Sequence, residues 1–277
     1  MQRCAGLGPI FELRVFAQKF VFVTGAELTA ELCDETRFHK ALSPGLVALR
    51  EFAGDGLFTA YSDESNWQMA HDLLRPAFTK AAMLRYHPIM LAVVSELFDS
   101  WDVREGPVDV SADMTKLTLE TISRTAFSRD FGSFTRKDPH PFVPAMVASV
   151  RAGQRKGVLN AMPGSGLLAR QLDRRNAHHP SYVDSLIDDI IAQRRQADDL
   201  DHRDLLGIML STQHPDSGKR LMDRNIRYQI LTFLVAGLET TSGSLSFALT
   251  TCRETRACLP RLRPKPTRSS GPIPARS

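Results

Sequence analysis

The sequence predicts a mainly helical fold with a small antiparallel β-hairpin near its start and a disordered tail at its end. Three observations predict it. From residue 65 to about residue 251, apolar side chains recur three and four positions apart in one segment after another, which is the period of helices that bury one face. Ahead of them, Ile10 to Phe16 and Phe20 to Thr24 are rich in Phe, Val and Ile around a polar break at Gln18-Lys19, the pattern of a strand pair. At the other end, Pro260, Pro264, Pro266, Pro272 and Pro274 lie among Arg and Ser without apolar periodicity. Such a segment buries too little surface to offset the entropy of ordering it.

Taken in order, Ala26 to Asp34 reads as a short helix with Leu28 and Leu32 four apart. Gly45 to Phe58 contains the loop Gly54-Asp55-Gly56. Ser65 to Phe78 follows as a helix with Ser65 as its cap and Trp67, Ala70, His71 and Leu74 on one face. Ala82 to Val103 repeats Met83, Tyr86, Met90, Val94, Leu97 and Trp101 at helical spacing, and Ser111 is the expected cap of a helix from Met114 to Phe127. Asp138-Pro139-His140-Pro141 breaks the chain before an apolar helix from Phe142 to Val150. Gly157, Pro163, Gly164 and Gly166 mark a loop over 157–166, and Tyr182 to Arg195 is amphipathic. After a turn at His214-Pro215-Asp216-Ser217-Gly218, the last helix opens at Asp223. It keeps helical period through Ile226, Ile230, Phe233, Leu234, Leu238, Leu245 and Leu249 to about Thr251. At about 1.5 Å per residue it spans roughly 40 Å, enough to cross a whole domain. The expected division is a folded unit over 1–251 and a tail over 252–277.

The 277 residues are 43% hydrophobic and 24% charged, ordinary for a globular protein with a sizeable core. The net charge of +4 belongs to the tail: between Cys252 and Ser277 seven basic residues face Glu254 alone, so the remaining 251 residues carry −2. No aromatic interleaving accompanies those basic residues, which argues against nucleic-acid binding. Cys4, Cys33, Cys252 and Cys258 show neither a C-x-x-C spacing nor the density of a disulfide framework and read as reduced thiols. The first residues lack the apolar core of a signal peptide, and no window holds about 18 continuous apolar residues. The expectation is a cytoplasmic protein without a membrane partner.

Chemistry concentrates at the centre of the long helix, Ala236-Gly237-Leu238-Glu239-Thr240-Thr241. A glycine in a helix costs about 1 kcal/mol against alanine, and threonine is a mediocre helix former. A carboxylate within an otherwise buried helix adds a desolvation cost. Ala236 and Gly237 leave room for a flat ligand against the backbone, while Thr hydroxyls can bond to carbonyls one turn back and open a local groove. A plain kink with a solvated acidic face explains the same residue types. Trp67 and His71, four apart, project from one helix face, and their ring N–H groups can share one anion; core packing is the simpler reading of such a pair.

Taken together, these segments resemble the cytochrome P-450 family. Trp67-Gln68-Met69-Ala70-His71-Asp72-Leu73-Leu74-Arg75-Pro76-Ala77-Phe78 resembles the family helix that contacts a haem propionate. Ala236-Gly237-Leu238-Glu239-Thr240-Thr241 resembles the oxygen-binding helix motif. Phe52 to Phe58, Asp113 to Ile122 and Asn225 to Ile230 resemble the haem domain of bacterial self-sufficient fatty-acid hydroxylases, in which that domain is fused to a flavin reductase. The resemblance runs from about Leu7 to Leu249. It implies haem as cofactor, with Trp67 and His71 bonding a propionate and Lys40 near the same group. Leu57, Phe58, Phe78 and Phe233 would pack on or near the macrocycle. Phe58 and Ala53 would shape the substrate cavity, and Ala236 and Gly237 would line the distal face. Thr240 would hydrogen-bond dioxygen and Glu239 would relay protons. FAD, FMN and NADPH would enter only through a reductase partner or a fused domain, and the substrates would be dioxygen and an aliphatic molecule, a fatty acid in the nearest kin.

The sequence departs from the family pattern in its second half. It holds no Glu-x-x-Arg pair and no Phe-x-x-Gly-x-Arg-x-Cys-x-Gly loop, whose cysteine thiolate is the family's proximal ligand, so no metal ligand is expected in this chain. Cys252 stands twelve residues after Thr240, about 18 Å along the same helix, and Cys258 lies in the tail. The expected architecture is therefore an incomplete P-450 fold, helices up to the distal helix, and an inactive fragment or a haem-free interaction module. No Arg-Tyr pair for a fatty-acid carboxylate stands near Gln18 to Phe22, although Lys19 could serve. The abrupt change after Thr251 fits a reading-frame shift in a GC-rich gene, or else a genuine alternative tail.

Overall fold

The computed structural model describes residues 6–15, 18–34, 36–160, 178–197 and 204–254. Strands β1 (Ile10–Val15) and β2 (Gln18–Val23) pair antiparallel, with Ile10 opposite Val23 and Val15 opposite Gln18. Gln18 and Lys19, expected as the break, belong to β2, because this register leaves only positions 16–17 for the connection. Those two positions, Phe16 among them, lie outside the described residues.

Nine helices occupy the described residues: α1 (Ala26–Leu32), α2 (Pro44–Ala53), α3 (Ser65–Leu74), α4 (Lys80–Asp102), α5 (Val110–Phe127), α6 (Phe142–Asn160), α7 (His178–Gln196), α8 (Leu205–Ser211) and α9 (Asp223–Glu254). The mainly α class with one small hairpin is as expected. Several boundaries differ for local reasons. Ser65 is the first helical residue of α3 rather than its cap; Glu64 holds the cap position and gives its carboxylate to Arg50 at 2.6 Å. Asp109, not Ser111, caps α5 by accepting from the Ala112 N–H at 3.1 Å, since a carboxylate gains more from the positive helix end than a hydroxyl does. Two helices were not expected: α2, which opens with Pro44 at its first position behind Ser43, and α8, capped by Asp204. Helix α6 continues ten residues past Val150 through Arg, Gln and Lys, all good helix formers, and absorbs 157–160 of the anticipated loop. Residues 161–166 of that loop and residues 255–277 of the tail lie outside the described residues.

The long helix α9 organises the fold. It packs chiefly along α5 and crosses α2, α7 and α8, and its Ile226, Ile230, Leu231, Leu234 and Leu238 are buried in the main core with Phe127, Phe142, Met146, Ile187 and Met209. By length and composition α9 could also cross a membrane, but the same measures fit a core helix, and its first half is one. Val93, Leu97, Met114 and Leu117 form a smaller cluster between α4 and α5.

At the entrance to α6, His140 Nδ1 accepts the Phe142 N–H at 3.2 Å, and the ring meets Phe131 edge-on. Burial, with Arg136 and Arg129 adding, lowers its pKa. A neutral imidazole is therefore favoured in the fold, and protonating Nδ1 removes the acceptor. The unfolded chain binds this proton more readily, so the stabilisation is present above the ordinary histidine range near pH 6.5 and is lost as pH falls through the depressed folded value. Thermal midpoints recorded between roughly pH 7.5 and 5 should drop less in His140→Asn, which keeps an uncharged acceptor.

Candidate functional site

The side of α9 formed by Phe233, Ala236 and Thr240 is open. Phe233 is half-buried, and Ala236, Glu239 and Thr240 are exposed. Thr240 Oγ1 donates to the Ala236 carbonyl at 2.7 Å, the anticipated bond to the preceding turn. Glu239 and Thr240 stand in solvent because the cover given by α5 ends near Leu238, whose carbonyl accepts from Thr118 Oγ1 at 3.3 Å. Beyond it Phe247 is 77% exposed, and Leu245 and Leu249 are exposed too. Glu239 lies about 100° around the helix from Thr240 and off the Phe233–Thr240 stripe. A Cβ on Gly237 would meet Ile122 of α5 at 3.4 Å, an ordinary van der Waals contact.

The loop over residues 54–58 is built directly onto α9. Asn225 Nδ2 donates to Asp55 Oδ1 at 3.0 Å, and Gln229 Oε1 accepts the Leu57 N–H at 2.9 Å while Gln229 Nε2 donates to Asn225 Oδ1. Gly54 has φ +53°, and a Cβ on it would overlap the Tyr228 ring at 2.2 Å. A Cβ on Gly56 would stand 2.2 Å from Thr232 Oγ1 and 2.8 Å from the Tyr228 carbonyl. These contacts bring Leu57 and Phe58 beside α9. Lys40 Nζ donates to the Leu57 carbonyl at 2.8 Å, and burial, partly offset by Glu64, lowers its pKa. Phe58, half exposed, shares a small apolar cavity with Ala53, Phe52, Leu49, Val150, Thr232 and Val235. Thr232 Oγ1 in its wall is buried and has no hydrogen-bond partner among the described residues. Gly56→Ala should destabilise the chain by about 1–3 kcal/mol through overpacking against backbone and should displace Phe58. Chemical denaturation reads the first effect and aromatic NMR shifts the second.

On α3, the Trp67 and His71 rings stack with centroids 5.1 Å apart and planes at 13°. The 3-10 turn Arg75–Phe78 then carries Phe78, 54% exposed, onto the Phe233 ring at 5.9 Å. The structure thus pairs Trp67 with His71, Phe78 with Phe233, Phe58 with Ala53 and Lys40 with Leu57. Asn225, Gln229, Gly54 and Gly56 were missed as site-building residues. Asn225 and Gln229 stand one turn apart among the apolar positions Ile226, Ile230 and Phe233, and that spacing was their signal.

The residues fit a haem. Exposed Phe78 and Ala236 with half-buried Phe233 form an open apolar ledge suited to a planar macrocycle, and the Trp67 ring N–H, with the His71 ring in its doubly protonated form, can donate to anionic edge groups. The Cytochrome P450 family model matches residues 1–263. The chain is 43% identical over 245 residues to a bifunctional cytochrome P450/NADPH–P450 reductase of Bacillus cereus, and 43% identical over 249 residues to one of Bacillus subtilis. It is 41% identical over 253 residues to a self-sufficient cytochrome P450 monooxygenase of Phanerodontia chrysosporium. These matches cover 87%, 88% and 87% of this chain and 23% of each relative, so the chain spans about a quarter of their length. An aromatic ledge on a long distal helix, a Trp–His edge and this breadth of similarity meet in one assignment: the chain belongs to the cytochrome P450 family.

Proposed function

We propose that this chain forms the distal wall of a haem pocket for oxygen insertion into an aliphatic, fatty-acid-like substrate, and that these 277 residues do not turn over alone. The observation that carries the reading is the exposed Phe78–Phe233 ledge beside the back-bonded Thr240. When bound, haem supplies a redox iron that activates dioxygen. The chain's own groups do the rest. Trp67 and His71 orient an anionic edge group, with Lys40 held at Leu57 nearby. The Thr240 hydroxyl, whose proton rests on the Ala236 carbonyl, could turn that proton toward a ligand above the ledge, and solvent-facing Glu239 could take up a proton from water and return it to the hydroxyl through water. The Phe58–Ala53 cavity, about 20 Å³, is too small to hold an aliphatic chain, so these side chains would bound the substrate only as one apolar wall. Lys19 is committed to Glu12 at 2.6 Å, which weakens it as an anchor for a fatty-acid carboxylate. The reductases named in the relatives support electron supply by a flavin reductase with FAD, FMN and NADPH.

Turnover by the family requires a thiolate ligand. Cys33 is exposed at the end of α1, and Cys252 lies on α9 about 18 Å past Thr240 along its axis. Cys252 does not stand where an iron over the ledge could reach it, and Cys4 and Cys258 lie outside the described residues. A second reading, a haem-free interaction module, draws on exposed Leu245, Phe247 and Leu249. The full chain, loaded with hemin, reduced and exposed to carbon monoxide, should show no thiolate-type Soret band and no NADPH-dependent oxidation with an added reductase. Such a band together with turnover would contradict the inactive reading.

A further inference from the structure

The turn after α8 brings a second imidazole to the Trp67–His71 edge. His214 is tied into that turn by its backbone, its N–H donating to the Lys219 carbonyl and its carbonyl accepting from Gly218, both at 2.8 Å. Its Nδ1 accepts the Ser217 N–H at 3.3 Å, so in the neutral ring the proton sits on Nε2. That Nε2 faces Asp72 Oδ2 at 3.4 Å, while Asp72 Oδ1 faces His71 Nδ1, also at 3.4 Å. Successive helix residues diverge by about 100°, so Asp72 does not naturally meet His71. Gln68 Nε2, one turn back, donates to Asp72 Oδ2 at 2.9 Å, and with His214 it turns the carboxylate toward its neighbour. The carboxyl is held below its usual range, chiefly by Gln68 and then by His214 and His71, against the opposing effect of burial.

We propose that Asp72, backed by His214, is a positioning residue that fixes the tautomer and tilt of His71 and so sets how the Trp67–His71 edge takes a carboxylate. This rests on the reading of that edge as the contact for the anionic groups of haem. With Nδ1–H committed to Asp72, the ring presents Nε2 outward, and in its imidazolium form it can donate from both nitrogens at once, to Asp72 on one side and the ligand on the other. Stacking on Trp67 then fixes the plane in which the outer donor points. A carboxylate that orients a histidine through its far nitrogen is a general device for setting tautomer and direction. A purely structural role, with Asp72 tying the turn to α3, predicts instead a change in stability and nothing more.

The test uses the full chain and the variants Asp72→Asn, His214→Gln and His214→Ala. Nitrogen-15 NMR of the ligand-free protein at roughly pH 8.5, where imidazoles are neutral, reads the His71 tautomer. Hemin and hemin dimethyl ester, which lacks the two carboxylates, are titrated in parallel at roughly pH 6, where imidazoles are largely protonated and both ring nitrogens donate. The expected result is a His71 protonated at Nδ1 in the parent and a mixture in Asp72→Asn. The parent's preference for hemin over the ester should fall roughly fivefold to tenfold in Asp72→Asn, with ester affinity unchanged. His214→Gln, which keeps a donor toward Asp72, should stay nearer the parent than His214→Ala. An unaltered tautomer and an unaltered preference in a folded Asp72→Asn would overturn the proposal. If the parent binds neither porphyrin, the haem reading of the edge falls, and the tautomer comparison still decides whether Asp72 orients His71.

Discussion

Asp204→Ala should lower the stability of this chain by about 3–5 kcal/mol, the largest effect expected of any single substitution in it. Asp204 and Arg194 are both buried, 6% and 7% exposed, and pair through two bonds, Nη1 to Oδ1 at 3.0 Å and Nη2 to Oδ2 at 2.7 Å. The carboxylate also accepts from Ser128 Oγ at 2.6 Å and caps α8 through the Gly207 N–H at 2.7 Å. Arg194 Nη2 further donates to the Phe127 carbonyl at 2.6 Å, at the end of α5. One carboxylate therefore joins the ends of α5, α7 and α8 beneath α9. Removing it leaves a guanidinium buried without its counter-charge and α8 without a cap. The exposed pair Arg195–Asp223, at the same end of α7, makes a comparably short contact of 2.6 Å, yet Arg195→Ala should cost no more than about 1 kcal/mol because solvent screens it. Urea unfolding of the two variants separates these cases. Equal losses would show that burial is not what makes the Asp204 pair matter.

Glu120→Ala should be nearly as damaging, at about 3–4 kcal/mol, and for a different reason. Glu120 is fully buried in α5 and accepts three donors: the Ser133 N–H at 2.7 Å, the Phe131 N–H at 3.3 Å and Arg124 Nε at 3.0 Å. The first two belong to the loop that returns the chain from α5 toward α6, so this carboxylate substitutes for secondary structure over residues 131–133. Arg124 is held charged far above its usual range, first by Glu96 and then by Glu120 and Asp130, against burial. Glu120→Ala strands two buried N–H groups as well as one face of Arg124. Glu120→Gln keeps an acceptor for the loop and should recover roughly half of the loss. Hydrogen exchange at Phe131 and Ser133 should speed up first in both variants; exchange that quickens only globally would show that the loop does not depend on this residue.

What was legible in the sequence follows how local each cause is. The Thr240 bond to the Ala236 carbonyl is a property of a threonine in any helix, and it was foreseen. The stripe Phe233, Ala236, Thr240 follows from helical period alone. The residue types at Glu239 and Thr240 fit a buried segment and a solvated face equally, because burial depends on which elements lie over the helix, and periodicity reports a face without naming its cover. The need for glycine at 54 and 56 was hidden for the same reason: the atoms that forbid a Cβ belong to Tyr228 and Thr232, more than 170 residues along the chain, at the separation of the Leu57–Gln229 bond. Helix α8 escaped notice because its seven residues are too short for a period and its start is set by buried Asp204, which reads as ordinary polar text. At the helix starts the error was one of competition, since Asp109 lies two residues before Ser111 and holds the stronger acceptor.

The open side of α9 beside Phe78 and Phe233 is proposed as a haem-binding ledge. Ala236→Asp tests it most directly, since Ala236 is exposed and the new carboxylate costs the helix only about 0.7 kcal/mol or less of propensity. Hemin titration of the parent, followed by the Soret band and by quenching of Trp67 in a Trp101→Phe background, should saturate at one equivalent. Ala236→Asp should weaken that binding by at least roughly tenfold while circular dichroism and thermal midpoint stay near those of the parent. Saturable binding of equal strength in the parent and Ala236→Asp would place the haem elsewhere, and no saturable binding in the parent would contradict the ledge altogether.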